Sequence, residues 1–383
     1  MPGYEVIGKL EKKYVNQIFT KSNGVLFSQG FNKLRKNIFR VKKFETKFKS
    51  FIRANYAHSA SSGTAALRIA LASLGVGKDD EVITQCFTFV ATVESIVESG
   101  ATPVCTEIND TLNMCPIDLE KKITKKTKAV IVVHMLGVPA DVQKIKKICK
   151  KKNLYLIEDT AWGLGAKIKN KFLGTIGDIG TFSFDFAKSL TTGEGGMVVY
   201  NKKSHFKKGL AWHDHGHENN PKFPRYKDTR KSSGFNFRMS ELQAAVGLAQ
   251  LKKFDDIFKK HNENKKKIIK LLKKIKYMGF RKHPQNSTDA SESLIINFKN
   301  KKIAETVAKK LQKESINTKI LPEALTWHFA KYWSHIESLK KRQKLEFDKS
   351  YQILKKSLSL PIFYKMKNNL PAKIFEIISK SKL

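Results

Sequence analysis

The stretch "TFSFDFAKSLTTGEGG", residues 181–196, sets Lys188 between an aromatic-rich apolar run and a glycine-rich turn. An amine partly withdrawn from water and flanked by hydroxyls can form a Schiff base with an aldehyde cofactor and later move protons between cofactor and substrate. Lys188 follows Asp159 by 29 residues, and Asp159 ends the hydrophobic run of "LYLIEDTAWG". A carboxylate at a strand's carboxyl end can keep a heteroaromatic nitrogen protonated by ion pairing; the plainer reading is a strand-end turn. Further upstream, "SASSGTAALRIALASLG" (59–75) places Ser62, Gly63 and Thr64 directly before a helical pattern. Free N–H groups at a helix start, two hydroxyls and a glycine that admits a ligand make a phosphate cradle. A serine or threonine there also serves simply as an N-cap.

These residues need a frame that brings them together. From about residue 54, apolar runs ("EVITQ", "TPVCTEI", "KAVIVVHML", "LYLIEDT", "TFSFD", "GGMVVY") alternate with helical patterns such as "TAALRIALASLG" and "DVQKIKKICKKKN". That alternation predicts a largely parallel sheet with helices on both faces, whose ligands bind beyond the carboxyl ends of the strands. Ser240 and Gln243 form a capping box that opens a long helix near 240–275. It joins a large domain (1–250) to a small C-terminal domain (251–383), in which "SLIINF", "KIAETVAKKLQKE" and "NTKIL" read as strand, helix and strand.

Length and composition agree with this plan. The 383 residues exceed one small core, and 41% hydrophobic residues suffice for a large one and a smaller one. Lysine and arginine number 73 against 34 acids, a formal charge of +39 that would attract nucleic acid, anionic membranes or acidic small molecules. The basic residues are spread through amphipathic runs ("KKITKK", "KIKKICKKKN", "KKKIIKLLKKIK") as on solvated helix faces, so no nucleic-acid partner is expected. Cys86, Cys105, Cys115 and Cys149 form no CxxC pair, which suits reduced thiols in a cytoplasmic protein. No run approaches the roughly 20 apolar residues of a membrane span, and "MPGYEVIGKLEKK" lacks a signal-peptide core. The final Ser381-Lys382-Leu383 spells a peroxisomal address, a short match of little specificity in a lysine-rich chain.

A fourth segment, "SGFNFRMSELQAAVGLAQL", completes an ordered set with "SSGTAAL", "EVITQCFTFVAT", "IEDTAWGLGA" and "GDIGTFSFDFAKSLTTGEGGMVV". Together they resemble the DegT/DnrJ/StrS family of sugar aminotransferases that use pyridoxal 5'-phosphate (PLP). The resemblance implies an aspartate-aminotransferase-like α/β fold (fold type I), with a large mostly parallel sheet domain and a smaller α/β domain. It implies that Lys188 is the Schiff-base lysine and Asp159 the partner of the pyridine nitrogen. Ser62, Gly63, Thr64 and Ser183 would hold the phosphate, and Phe89 would stack on the cofactor ring. Asn236 would reach the phosphate of a neighbouring subunit, implying a homodimer with shared active sites. Trp162 departs from the pattern: it stands where relatives carry Gln or His, and an indole donates one hydrogen bond but accepts none. The presence of Lys188, which some dehydrating relatives replace by His, implies transamination. Two other classes, a non-catalytic regulator on the same fold and a nucleic-acid-binding protein, fit poorly with Lys188, Asp159 and the scattered basic residues.

Within the family, "MPGYE", "DHGHEN" and "WHFAKYWSHIESL" resemble members that act on an acidic eight-carbon sugar of lipopolysaccharide. That implies glutamate as donor and an aldehyde at carbon 8 as acceptor; a nucleotide-linked keto-sugar is the competing acceptor. His213, Asp214, His215, His217 and Glu218 invite a metal reading, but the glycine and Asn-Asn-Pro around them mark a loop, and the expectation is no metal. His215 and Arg238 are candidates to meet anionic substrate groups. Trp327 and His328 are candidates for substrate contact, with a core or interface role for Trp327, His328, Tyr332 and Trp333 equally open.

Overall fold

The computed structural model describes residues 3–220, 222–342 and 344–381. Lys382 and Leu383 of the terminal tripeptide and Met1 and Pro2 of "MPGYE" lie outside the described residues. The frame is a seven-stranded sheet in the order Tyr56–Ala60, Gly196–Tyr200, Ile179–Ser183, Tyr155–Asp159, Thr127–Val133, Glu81–Gln85, Thr102–Thr106. Pairing is parallel throughout except at Gly196–Tyr200, which runs antiparallel to both neighbours. Helices cover both faces, so the strands read as continuous apolar runs rather than alternating ones. Helix Gly63–Ser73 buries Ala66, Ile69 and Ala70 on one face with Ile157 and Val198 of the sheet. Helix Val142–Lys151 buries Val142 and Ile145 on the other with Val130, Val132 and Leu156, and keeps Lys144, Lys147 and Lys150 in solvent.

Two local expectations are corrected. "KKITKK" is not a helical face: helix Pro116–Lys122 ends inside it. The Thr124 hydroxyl there accepts a hydrogen bond from Lys126 N (3.1 Å) and donates to Glu81 (2.5 Å), a side-chain alternative to helical bonding. "NTKIL" is not a strand either. The third strand of the small antiparallel sheet, beside Met278–Phe280 and Ser293–Phe298, is Ser357–Pro361. Residues 319–321 make only two bonds to it, Lys319 N to Ser359 O (3.0 Å) and Ser359 N to Leu321 O (2.9 Å), before Pro322, which has no N–H to extend a ladder. Helices Lys301–Lys313 and Leu370–Ser379 pack on this sheet around Val307, Leu311, Leu358 and Ile374.

The long helix runs Glu241–Leu272, and its capping box is formed: Ser240 Oγ accepts from Gln243 N (3.3 Å), and Gln243 Oε1 accepts from Ser240 N (2.8 Å). Its first residue ties it to helix Arg40–Ile52. Glu241, fully buried, accepts from Arg40 N (2.8 Å) and Val41 N (3.1 Å) and pairs with the equally buried guanidinium of Arg35 (3.1 Å). Removing one member of a buried pair leaves an uncompensated charge. Glu241→Ala is therefore expected to lower stability by about 3–5 kcal/mol in denaturant unfolding; a loss no larger than that of an exposed glutamate would refute this anchoring role.

Candidate active site

Five strand ends converge on one cavity of about 430 Å³, Val133 closing Thr127–Val133 among them. Ser62, Gly63 and Thr64 follow strand Tyr56–Ala60, Phe89 follows Glu81–Gln85, Asp159 and Ser183 end their own strands, and Lys188 lies in the turn after Ser183. Ser62 is the N-cap, accepting from Ala65 N (3.0 Å), so the plainer reading of that serine holds. The first N–H groups of the helix, on Gly63 and Thr64, have no intrahelical acceptor, and they stand at the positive end of its dipole. A side chain on Gly63 would put Cβ 2.7 Å from Ser183 Cβ. The glycine thus lets helix start and strand end close together into a concave wall with N–H groups at its rim.

Strand alternation separates the two adjacent acids. Glu158 turns away from the cavity, where it accepts from Ile176 N (2.6 Å), Gly177 N (2.6 Å), Gly174 N (3.0 Å) and His134 Nε2 (3.0 Å). Asp159 turns into it, nearly buried, with Oδ2 accepting from the Thr92 hydroxyl (2.9 Å) and Oδ1 from Ala161 N (3.1 Å). Burial raises its pKa, while these two bonds and nearby Lys188 pull the other way. Such a carboxylate gains most from a cationic N–H partner.

Lys188 is held by a short turn, its N–H donating to Asp185 O (3.0 Å), and its ammonium sits 3.7 Å from the centroid of the Trp162 ring. Burial lowers its pKa; Glu292 opposes the shift and Lys319 adds to it. Trp162 is the buried floor beneath the amine, packed into a cluster with Leu136, Phe329 and Trp333. His328 comes from a distant segment that pairs with the extension of Glu81–Gln85: Thr88 N donates to His328 O (3.0 Å) and Ala330 N to Cys86 O (2.8 Å). Its Nδ1–H donates to Ala324 O (3.3 Å), burial lowers its pKa to about 4, and its ring lies 5.6 Å from that of Phe89. His328 is therefore a neutral imidazole with Nε2 as an acceptor.

Other expected residues lie elsewhere. Trp327 is 64% exposed and outside the cavity, while Trp333 is core, donating its indole N–H to Trp327 O (3.0 Å). His215 is exposed, and the Arg238 guanidinium is taken by Asp214, which also holds Arg225 (2.6 Å). Neither lines this chain's cavity, nor does the exposed Asn236 on the same loop. The histidine-rich loop is dispersed among separate partners: His217 faces Asp228 (3.2 Å), and Glu218 faces Thr229 and Lys231. Among the described residues no group of His, Cys, Asp or Glu is arranged to hold a metal. Thr92, Asp185 and Lys319 line the cavity without having been singled out in the sequence; Thr92 and Lys319 meet their partners Asp159 and Glu292 across distant segments, whereas Asp185 sits in the Lys188 turn itself.

The profile of the DegT/DnrJ/EryC1/StrS aminotransferase family matches residues 27–379. GDP-perosamine synthase of Escherichia coli O157:H7 is 43% identical over 236 residues, 58% of this chain and 60% of that protein. GDP-perosamine synthase of Vibrio cholerae is 39% identical over 250 residues, 65% of this chain and 64% of that protein. Each match thus spans less than two thirds of the relative's length. The solved aminotransferase of Psychrobacter cryohalolentis superposes with a TM-score of 0.84 at 27% identity, covering 98% of this chain and 96% of the other.

Two outcomes follow from the geometry. Gly63→Ala forces Ser183 away from the helix start, so affinity for PLP, read by equilibrium titration, should fall by about tenfold or more, the scale of one lost charge-assisted hydrogen bond. Unchanged affinity would remove Gly63 and Ser183 from the phosphate cradle. Because burial favours the neutral amine, borohydride trapping of PLP on Lys188 should rise with pH through a midpoint below the ordinary lysine value of 10.5. A midpoint at or above it would contradict a desolvated Lys188.

Proposed function

Because the chain belongs to the DegT/DnrJ/EryC1/StrS aminotransferase family, we propose that it moves the amino group of glutamate to a keto- or aldehydo-sugar, with PLP as cofactor. The observation that carries this reading is the convergence of Lys188, Asp159 and the Ser62-Gly63-Thr64/Ser183 cradle on one cavity. Those groups fit the cofactor: a concave cradle that a Cβ would fill, a buried carboxylate for the ring nitrogen, and a desolvated amine above the buried Trp162 ring.

PLP, when bound, supplies an electron sink for the carbon that loses a proton. Gly63 and Thr64 N–H and the Thr64 and Ser183 hydroxyls would hold its phosphate. Asp159, oriented by Thr92 and Ala161, keeps a proton on the ring nitrogen. Lys188 would hold the cofactor through its Nζ, and its desolvated amine would take the proton from the donor's α-carbon and give it back. Glutamate would leave as 2-oxoglutarate, its new carbonyl oxygen coming from water and its nitrogen staying with the cofactor; the same groups acting in reverse would pass that nitrogen to the sugar carbonyl, whose oxygen leaves as water. Asn236 and Arg238, exposed or clamped outside this chain's own cavity, are proposed to complete the cavity of a second copy in a homodimer. The cysteine usage is in keeping with the cytoplasm.

For the acceptor, the segments "DHGHEN" and "WHFAKYWSHIESL" and the net basic charge support 8-oxo-3,8-dideoxy-manno-octulosonate, giving 8-amino-3,8-dideoxy-manno-octulosonate for lipopolysaccharide. The names of the perosamine synthases support a second reading, a nucleotide-linked keto-sugar. Incubation of the protein and PLP with glutamate and each sugar separates them, with 2-oxoglutarate and aminated sugar as readouts. Lys188→Ala and Asp159→Asn should each lower turnover by at least about 10²-fold, the scale of a lost proton-transfer group. No 2-oxoglutarate with any sugar, or full turnover in Lys188→Ala, would sink the transaminase reading.

A further inference from the structure

Besides Lys188, the one lysine that lines the cavity among the described residues is Lys319. It comes from the irregular segment tied to strand Ser357–Pro361 by the two backbone bonds described above, which direct it toward the large sheet. Its side chain is 4% exposed, and its ammonium lies 4.4 Å from the centroid of the same Trp162 ring that carries Lys188. An ammonium has three N–H donors. Among the described residues that of Lys319 has one anionic neighbour, Glu292 Oε2 at 3.5 Å, and neither atom has a further hydrogen-bond partner. The other oxygen of Glu292 is taken by the N–H (3.2 Å) and hydroxyl of Ser189, the residue after Lys188. One buried carboxylate thus positions both the turn that carries Lys188 and the second cation.

A buried cation with donors to spare at a cavity wall is a receptor for an anion. The chemistry narrows which one. The phosphate cradle is built at other strand ends, from Gly63, Thr64 and Ser183. The α-carboxylate of an amino donor is bonded directly to the carbon whose proton Lys188 handles, so its receptor has to lie within a few ångströms of that amine. Lys319 shares an indole ring with it. The carboxylate of an eight-carbon acid aminated at carbon 8 sits at the far end of its chain and does not meet this condition. Resting on the transaminase reading above, we propose that Lys319 is the receptor for the α-carboxylate of the amino donor, with Glu292 holding its ammonium in place.

The test uses the PLP-loaded protein and its Lys319→Met, Lys319→Arg and Lys319→Met/Glu292→Gln variants. Donor binding is read from the change in cofactor absorbance with glutamate and no sugar. Glutarate, a dicarboxylate that has no amino group and cannot react, is titrated by calorimetry. Lys319→Met should raise the glutamate half-saturation and the glutarate Kd by about tenfold or more, leave PLP affinity unchanged, and be largely rescued by Lys319→Arg. The proposal is overturned if both carboxylate affinities stay at wild-type values. It is also overturned if PLP affinity alone falls, which would make Lys319 a cofactor group, or if only binding of 3-deoxy-manno-octulosonate weakens, which would assign it to the acceptor. Recovery of wild-type affinity in the double variant would overturn it too, since Lys319 would then merely neutralise Glu292. A wild-type protein that binds glutarate but shows no absorbance change with glutamate contradicts the transaminase reading, and the calorimetric arm still decides the carboxylate site.

Discussion

The site depends on a carboxylate that never enters it. Glu158 is fully buried, and burial alone would raise its pKa; a hydrogen bond from His134 and the N–H groups at 174–177 hold it below the ordinary value. Those bonds pin the turn that leads into strand Ile179–Ser183 beside Tyr155–Asp159, and so fix the height at which Ser183 and the Lys188 turn emerge. His134 is fixed in turn, its Nδ1 accepting from Ala140 N (3.1 Å) and its own N–H donating to Asp159 O (3.0 Å). With Glu158 committed to structure, the pleat leaves its neighbour Asp159 as the cavity's acid.

Desolvation is the largest influence on the proton affinities of the cavity's titratable groups. Burial lowers the proton affinity of Lys188 and raises that of Asp159, which brings both closer to exchange near neutrality than they would be in water, while it holds His328 in its neutral form. The effect needs walls from both parts of the chain. The large sheet supplies the strand ends, and the C-terminal part supplies His328, Lys319 and Glu292. Trp162, on the floor between them, gives two ammonium groups one aromatic face.

Some of this was legible in the sequence. The helix start at Ser62, the capping box at Ser240 and the strand end at Asp159 are local: each follows from a residue's hydrogen-bonding capacity and its place in a periodic run. Other features had no local signal. "NTKIL" has the composition of a strand, yet Pro322 and two backbone bonds to Ser359 make it a bracket for Lys319. "WHFAKYWSHIESL" could not be divided by inspection, because only pairing of 328–330 with 86–88 puts His328 in the cavity, Trp333 in the core and Trp327 in solvent. Arg238 has the chemistry to meet an anion, but Asp214, 24 residues away, occupies its guanidinium.

The sequence by itself determined the alternating α/β plan, the chain order of cradle, acid and lysine, and the family resemblance they carry. These depend on neighbours within a few residues, where period and capping chemistry act. Tertiary structure alone decided which of many lysines is desolvated beside Lys188, and which aromatics face a ligand rather than the core. Burial and charge pairing are set by segments far apart in the chain: Lys319 gains its environment from Glu292 and Trp162, at positions that no spacing rule connects.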